Sequence, residues 1–476
     1  MRSTRLRRIA TVFIPGTLLL LSCDRAQSSG DTPATQGAAA EATTGATTVA
    51  FTHVTVVDVE RGQLLADQTV LVQSDRIAAV GLDRDVTVPA GADVVDGTGR
   101  FLVPGFADMH VHLYTVGDLF TYVANGITTV RNMAGDSTHL AMRAGVSSGR
   151  IIGPRIITAG PVVEAAPLSH PDNVLLDSPA AVRRELLRQQ RAGYDFVKVY
   201  NELARPVYDS VVRVARELGL PVAGHVPASV GIDGALAARQ GSIEHFRGYI
   251  QALMPSSAPA LSASFRERSV AWNRIDDARM APLVARTVAA GVWNVPTFAF
   301  TVHELSPDAA HKRLLARPEV QMLSLQGLPK DRATTGYLRE FTDADYAGTQ
   351  RGLAAQFRLL RALDGAGAGL LVGTDSWLAG YAFADELELL VRAGLSPARV
   401  LRMATVDAAR YLGEERESGT VAGGRRADLV LLDANPLADI GNVRRVQAVM
   451  LRGRLLRRDQ IDSGLAALPR NRQQLP

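Results

Sequence analysis

Cysteine is almost absent from this 476-residue chain: Cys23 stands alone, so no internal disulfide can form. Lysine is nearly as scarce. Of 52 basic residues only Lys198, Lys312 and Lys330 are lysines, which leaves 49 arginines. In so arginine-biased a chain, each surviving lysine needs a reason that arginine would not meet. Charge of one sign is also missing. The formal net charge of +4 comes from Arg2, Arg5, Arg7 and Arg8, and the rest of the chain balances at 48 basic against 48 acidic residues. That balance gives no footprint for a nucleic-acid partner. Long apolar runs are missing too. The stretch Ile9 to Leu21 is short for a membrane span, and Pro15 interrupts it.

What stands at the start reads as an export signal. Arg2 to Arg8 form a basic region, Ile9 to Leu21 an apolar one, and Leu20-Leu21-Ser22-Cys23 resembles a bacterial lipobox. The expectation is a signal peptide over 1–23, lipidation of Cys23, and a lipoprotein anchored to a membrane on the periplasmic side. Residues 24–48, rich in Ala, Thr, Gly, Ser and Gln, read as a flexible tether.

Residues 49–100 alternate as short antiparallel strands, and a similar pattern returns over 411–460, as in Ala427 to Asp433 and Val446 to Arg454. A small β-sandwich domain built from both chain ends is expected, with 461–476 as a C-terminal tail. Between them, over 101–410, short apolar runs alternate with helical patterns. The runs are Val103 to Val111, Ile127 to Arg131, Arg155 to Ala159, Phe196 to Tyr200, Pro221 to His225, Ser242 to Phe246, Val292 to Phe298 and Gly369 to Asp375. Eight such units predict an α/β fold, a (β/α)8 TIM barrel with insertions. A doubly wound open sheet is the second choice, but no Gly-x-Gly-x-x-Gly follows an early strand. Residues 251–345 read as an irregular insertion able to cover a site mouth.

The chemistry stands at the ends of these runs. The first closes on His110 and His112, two apart and so on one face of a strand. Lys198 lies in the fourth, His225 ends the fifth, His245 the sixth and Asp375 the eighth. In a barrel the C-terminal strand ends converge on one face. Each residue alone has an ordinary reading: a core histidine, a helix cap, a snorkelling lysine. Together they predict a site for divalent metal, most simply zinc, with manganese or cobalt accepting the same ligands. A buried lysine made neutral can add carbon dioxide, and the carbamate behaves as a bridging carboxylate, which arginine cannot become. Two metals sharing that bridge would hold a hydroxide and polarise a carbonyl.

With the motifs Pro104-Gly105-Phe106-Ala107-Asp108-Met109-His110-Val111-His112, Gly126 to Arg131, Phe196 to Tyr200, Gly224-His225, Ile243-Glu244-His245 and Gly373-Thr374-Asp375 in place, the sequence resembles the amidohydrolase superfamily. Within it, the chain resembles imidazolonepropionase-like enzymes, including Xaa-Pro dipeptidase (prolidase)-type hydrolases and ochratoxin-degrading amidases. The resemblance spans about 49–455. It implies that His110, His112 and Asp375 hold the more buried metal, that His225 and His245 hold the second, and that carboxylated Lys198 bridges them. Asp375 would also shuttle the proton from the attacking hydroxide to the leaving nitrogen. Tyr200, two residues past Lys198, would contact substrate. Imidazolonepropionase itself is mononuclear and cytoplasmic, so Lys198 and export favour the binuclear, peptidase-like branch. The expected activity is hydrolysis of an amide such as a dipeptide or N-acyl amino acid. A lactonase or cyclic amide hydrolase with the same metals is the alternative, and a non-catalytic binding protein on this scaffold is a third. A homo-oligomer is expected.

Overall fold

Five strands open the folded part of the chain: β1 (Thr48–Asp58), β2 (Gln63–Gln73), β3 (Arg76–Leu82), β4 (Asp93–Asp96) and β5 (Phe101–Pro104). The middle carries β6 (Phe106–Val111), β7 (Ile127–Asn132), β8 (Arg155–Thr158), β9 (Val163–Glu164), β10 (Val174–Leu175), β11 (Val197–Val199), β12 (Val222–Gly224), β13 (Ser242–Glu244) and β14 (Trp293–Val295). Near the end come β15 (Leu429–Leu432), β16 (Val446–Leu451) and β17 (Arg454–Arg457). This computed structural model describes residues 48–261, 264–322 and 338–471. The signal segment, Cys23 and nearly all of the tether lie outside the described residues.

The two chain ends meet in one eight-stranded sheet, ordered β17-β16-β15-β5-β1-β2-β3 with β4 also paired to β1. The junction is β5. It runs parallel to β1 on one side and antiparallel to β15 on the other, where Leu102 faces Leu431 and Val103 faces Val430. Through β5 the strands from both ends of the folded region form one continuous hydrogen-bonded sheet. Alternating side chains of the sheet, among them Phe51, Val54, Val70, Leu102, Leu429 and Met450, share one buried apolar cluster.

The middle strands are short and parallel. All six residues of β6 and all six of β7 are buried, the pattern of strands covered on both faces. Helices lie between them. In Arg205–Glu217, Val207, Val211 and Val214 recur at helical spacing and pack with Val197 and Val199 of β11. Asp343–Gly365 opens on a reciprocal cap between Thr342 and Asp345. The parallel strands fall into two sheets, β6-β7-β8 and β10-β9-β11-β12-β13-β14. β8 meets β11 at a single bridge, Ala159 with Phe196, and β14 meets the segment after residue 368 at another, Asn294 with Leu370. The expected eighth strand, Gly369 to Asp375, is extended but bridged only at Leu370. Leu371 N–H donates to Asn294 O at 3.0 Å, Met109 N–H to Val372 O at 2.8 Å, and Asp375 N–H to His110 O at 2.8 Å.

The expectation of an irregular insertion over 251–345 is corrected. Its described part is largely helical: Phe265–Val270, Met280–Ala290, Phe298–Glu304 and Asp308–Leu315. Met280, Leu283, Val284 and Thr287 are buried at spacings of three and four, a helical period broken up by short turns on either side. The last described element is the helix Arg458–Asn471, reaching into the segment read as a tail. No helix among the described residues is long and apolar enough to cross a membrane.

Candidate metal centre

Several of the side chains expected as ligands lie close together. His110 closes β6 and is fully buried; His112 follows it, its side chain 34% exposed. Asp375 stands at the end of the extended segment that hydrogen-bonds to β6. Its carboxylate lies 3.6 Å from His110 Nε2, 3.3 Å from His112 Nε2 and 3.6 Å from His245 Nε2. His110, His245 and Asp375 form the tightest donor group among the described residues, with ligand atoms within 4.8 Å of one another. His225 stands beside His245, ring centroids 5.0 Å apart. Lys198, in the middle of β11, is buried, and its charge acts on His110, His225 and His245 alike. Tyr200 stacks on His225 at 4.1 Å.

The hydrogen bonds around these histidines set which ring nitrogen faces inward. His110 Nδ1 donates to Glu244 Oε2 at 2.7 Å. His225 Nδ1 donates to Asn201 Oδ1 at 2.8 Å. Thr297 Oγ1 gives its own proton to Pro296 O at 2.7 Å, so it accepts from His245 Nδ1, 2.6 Å away. All three rings therefore carry their proton on Nδ1 and leave Nε2 free, and for His110 and His245 that nitrogen lies 3.6 Å from the Asp375 carboxylate, as in metal-binding histidines whose tautomer an outer partner fixes. His110 Nε2 is buried with no hydrogen-bond partner among the described residues. An orphaned acceptor beside a carboxylate and two further imidazoles fits a divalent cation, so the residues present suit the group.

Glu244, Asn201 and Thr297 were not singled out from the sequence. Neither was Arg131, whose Nε donates to Met109 O at 2.7 Å and whose terminal nitrogens donate to Tyr411 Oη at 2.7 Å and Glu244 Oε1 at 3.0 Å. A charged residue inside the buried run Val130-Arg131-Asn132 was the available signal. Asp108 ties the two halves together: Thr374 donates to it from backbone N–H and hydroxyl, at 3.0 and 2.8 Å.

Electrostatics follows from burial and these partners. Burial opposes charge on Glu244, but Arg131 and the His110 hydrogen bond outweigh it and keep the carboxyl well below its ordinary range. Burial likewise opposes charge on Asp375, and the surrounding histidines, His110 first, reverse the outcome. Burial brings Lys198 down to about 8, against the pull of Glu244 and Asp375 and with the help of Arg131. A substantial neutral fraction at mildly alkaline pH is what carbamate formation requires. Burial takes His110 down to about 4, so its imidazole is neutral near pH 7.

The backbone is shaped for the same end. His245, Thr297 and Asp375 have φ of +57°, +53° and +46°, a region that non-glycine residues seldom occupy and that clusters at functional sites. Gly224, φ +130°, passes so close to β11 that a Cβ there would stand 2.3 Å from Val199 O and 2.8 Å from Lys198 Cδ. At Gly373 a Cβ would stand 2.7 Å from His110 Cβ.

The chain is similar to known proteins. Adenine deaminase 3 of Rhizobium meliloti (strain 1021) is 25% identical over 416 residues, covering 84% of this chain and 56% of its own. The chain thus spans about half the length of the adenine deaminases it matches. Imidazolonepropionase of Rubrobacter xylanophilus is 26% identical over 396 residues, covering 79% of this chain and 87% of its own. Among solved structures, a bottromycin amidohydrolase superposes with a TM-score of 0.70 at 27% identity, covering 88% of this chain and 90% of its own. Residues 101–456, which contain every candidate ligand described above, match the amidohydrolase family, and the chain belongs to that family.

Proposed function

We propose that this chain is a binuclear metal-dependent hydrolase that cleaves the amide bond of a dipeptide or N-acyl amino acid. The observation that carries the reading is the pair of imidazoles, His110 and His245, each turned by an outer hydrogen bond so that Nε2 faces Asp375, with His225, held by Asn201, beside His245. Family membership supports hydrolysis at a carbon–nitrogen bond. The barrel belongs to the same proposal, supported by the backbone hydrogen bonds that flank Gly369 to Asp375 on both sides and by the bridge from Ala159 to Phe196.

His110, His112 and Asp375 would hold one ion, His225 and His245 the other, and Lys198 as its carbamate would bridge them. When bound, the ions would polarise the scissile carbonyl and make water a nucleophile near neutral pH. Asp375, kept ionised by its histidine neighbours, accepts a proton from the attacking water and returns it to the leaving nitrogen. Glu244 and Thr297 keep their histidines in the required tautomer throughout. A non-catalytic role would tolerate loss of ligands, and all six positions are filled. Export with a lipid on Cys23 completes the proposal and rests on the segment Leu20-Leu21-Ser22-Cys23.

The test is metal content and turnover in one preparation. Protein grown with zinc and bicarbonate is expected to bind two equivalents and to hydrolyse members of a dipeptide and N-acyl amino acid panel. Lys198→Ala is expected to lower both. Less than about one equivalent in the wild type would refute the metal reading, and unchanged content and turnover in Lys198→Ala would refute the bridge.

A further inference from the structure

Two arginines stand beside the centre without an ion-pair partner among the described residues, although Asp375 attracts Arg247, and Glu202 and Glu267 attract Arg268, from farther off. Arg247 comes just after His245 and Phe246, whose φ values of +57° and +51° turn the chain out of β13. Its guanidinium lies over the ring of Phe265, 5.3 Å from the centroid. Arg268 is three residues on from Phe265 in the helix Phe265–Val270, one turn along the same face, and only 7% exposed. The Nε of each arginine is buried without a hydrogen-bond partner among the described residues, and neither forms an ion pair there. The wall they stand in is continuous with the centre. Phe265 packs on Phe300 at 6.3 Å, and Phe300 on His245 at 6.2 Å. On the other side Tyr200, stacked on His225, sits in the field of both arginines.

Uncompensated guanidinium groups are costly to bury, and two close together repel. Such a pair is matched in shape and charge by a single planar carboxylate, which can take two N–H donors from one fork or one from each. The geometry points to Arg247 and Arg268 as the binding site for a free carboxylate on the substrate, next to the scissile amide. The substrate class is then a dipeptide or N-acyl amino acid with an unblocked C-terminus, and C-terminal amides or internal peptide bonds are refused. This rests on the amide-hydrolase reading above and sharpens it.

The probe is N-ethyl-L-leucine, which keeps the α-carboxylate but has no scissile carbonyl, compared with N-ethyl-L-leucinamide. Titrated into zinc-loaded protein by calorimetry, the acid is expected to bind about 100-fold tighter than the amide. Arg247→Met and Arg268→Met should each remove about ten-fold of that preference and leave amide affinity within two-fold, and Arg268→Lys should restore part. Equal binding of acid and amide to the wild type overturns the proposal without any variant. So does an unchanged preference in Arg268→Met with a native circular dichroism spectrum. Because no turnover is read, preference without hydrolysis of any panel member would leave this site standing and refute the hydrolase reading instead.

Discussion

Replacing Glu244 by Gln should separate what holds the centre together from what lets it bind metal. The carboxylate accepts three bonds, from His110 Nδ1 at 2.7 Å, Ser242 Oγ at 2.5 Å and Arg131 at 3.0 Å, and all four groups are buried. Gln keeps the shape and one acceptor but leaves Arg131 as a buried cation without its partner. Turning charge-assisted bonds into neutral ones costs about 1 kcal/mol each, and orphaning one member of a buried pair costs about 3–5 kcal/mol. We take about 3 kcal/mol. At ~2.1 cal/mol/K per residue over roughly 400 folded residues, that is a fall in Tm of about 4 °C. Metal affinity should fall about 10- to 100-fold, because the His110 tautomer is no longer fixed by a carboxylate. The double variant Arg131→Met/Glu244→Gln removes both charges. Its Tm should recover most of the loss, since neither charge is then left unpaired, while metal affinity stays low. Calorimetric melting and competition titration with a zinc chelator read the two quantities separately. If Glu244→Gln melts lower yet binds zinc within two-fold of wild type, the argument that this carboxylate sets the His110 ring is wrong.

Other consequences can be checked alongside. Gly224→Ala forces a Cβ against Val199 O at a φ of +130°, so it should destabilise the protein by at least about 2 kcal/mol in chemical denaturation and displace Lys198, seen as loss of one metal equivalent. Glu386 is buried and pushed up to about 8, above its unfolded value of 4.5, so the folded state holds its proton more tightly. Its contribution to stability is present below about pH 4.5 and falls away as pH rises towards 8, and Glu386→Gln should flatten that slope in denaturation curves taken across the window. Asp385 behaves oppositely. Burial opposes its charge, but His303 and Arg317 hold its pKa low, so its contribution is fully present above the unfolded value of 3.8 and shrinks as pH falls below it, and Asp385→Asn should lower the Tm most at pH 7 and by progressively less between pH 4 and pH 2. Cys23→Ser should move the protein from the membrane pellet to the soluble fraction, and persistence in the pellet would refute the lipid anchor.

The histidines were legible because fully buried parallel strands are short, uniformly apolar runs, and a polar residue closing such a run has few reasons to be there. His225 after Val222 to Gly224 and Asp375 after Leu370 to Gly373 stand out for this reason. The partners that orient them were not legible. Glu244 meets His110 across 134 positions, Asn201 meets His225 across 24 and Thr297 meets His245 across 52, and each contact exists only once separate strands lie side by side. The two-ended β region was visible in its alternation, but the pairing of β5 with both β1 and β15 was not, because it joins strands more than 300 positions apart. Arg247 and Arg268 carried no signal in a chain with 49 arginines, because what marks them is the lack of a partner.

The left-handed backbone at His245, Thr297 and Asp375 has a consequence for how this chain can change. Glycine or asparagine would relax each of these positions, so a selection for thermal robustness alone would press on all three. Asparagine at 375 would give up the proposed proton carrier, glycine at 245 an imidazole, and either residue at 297 the hydroxyl that pins its neighbour. Screens for hardier variants should therefore recover inactive proteins with substitutions at these sites. Durable active ones should draw their gains from the eight-stranded sheet at the chain ends, away from the centre.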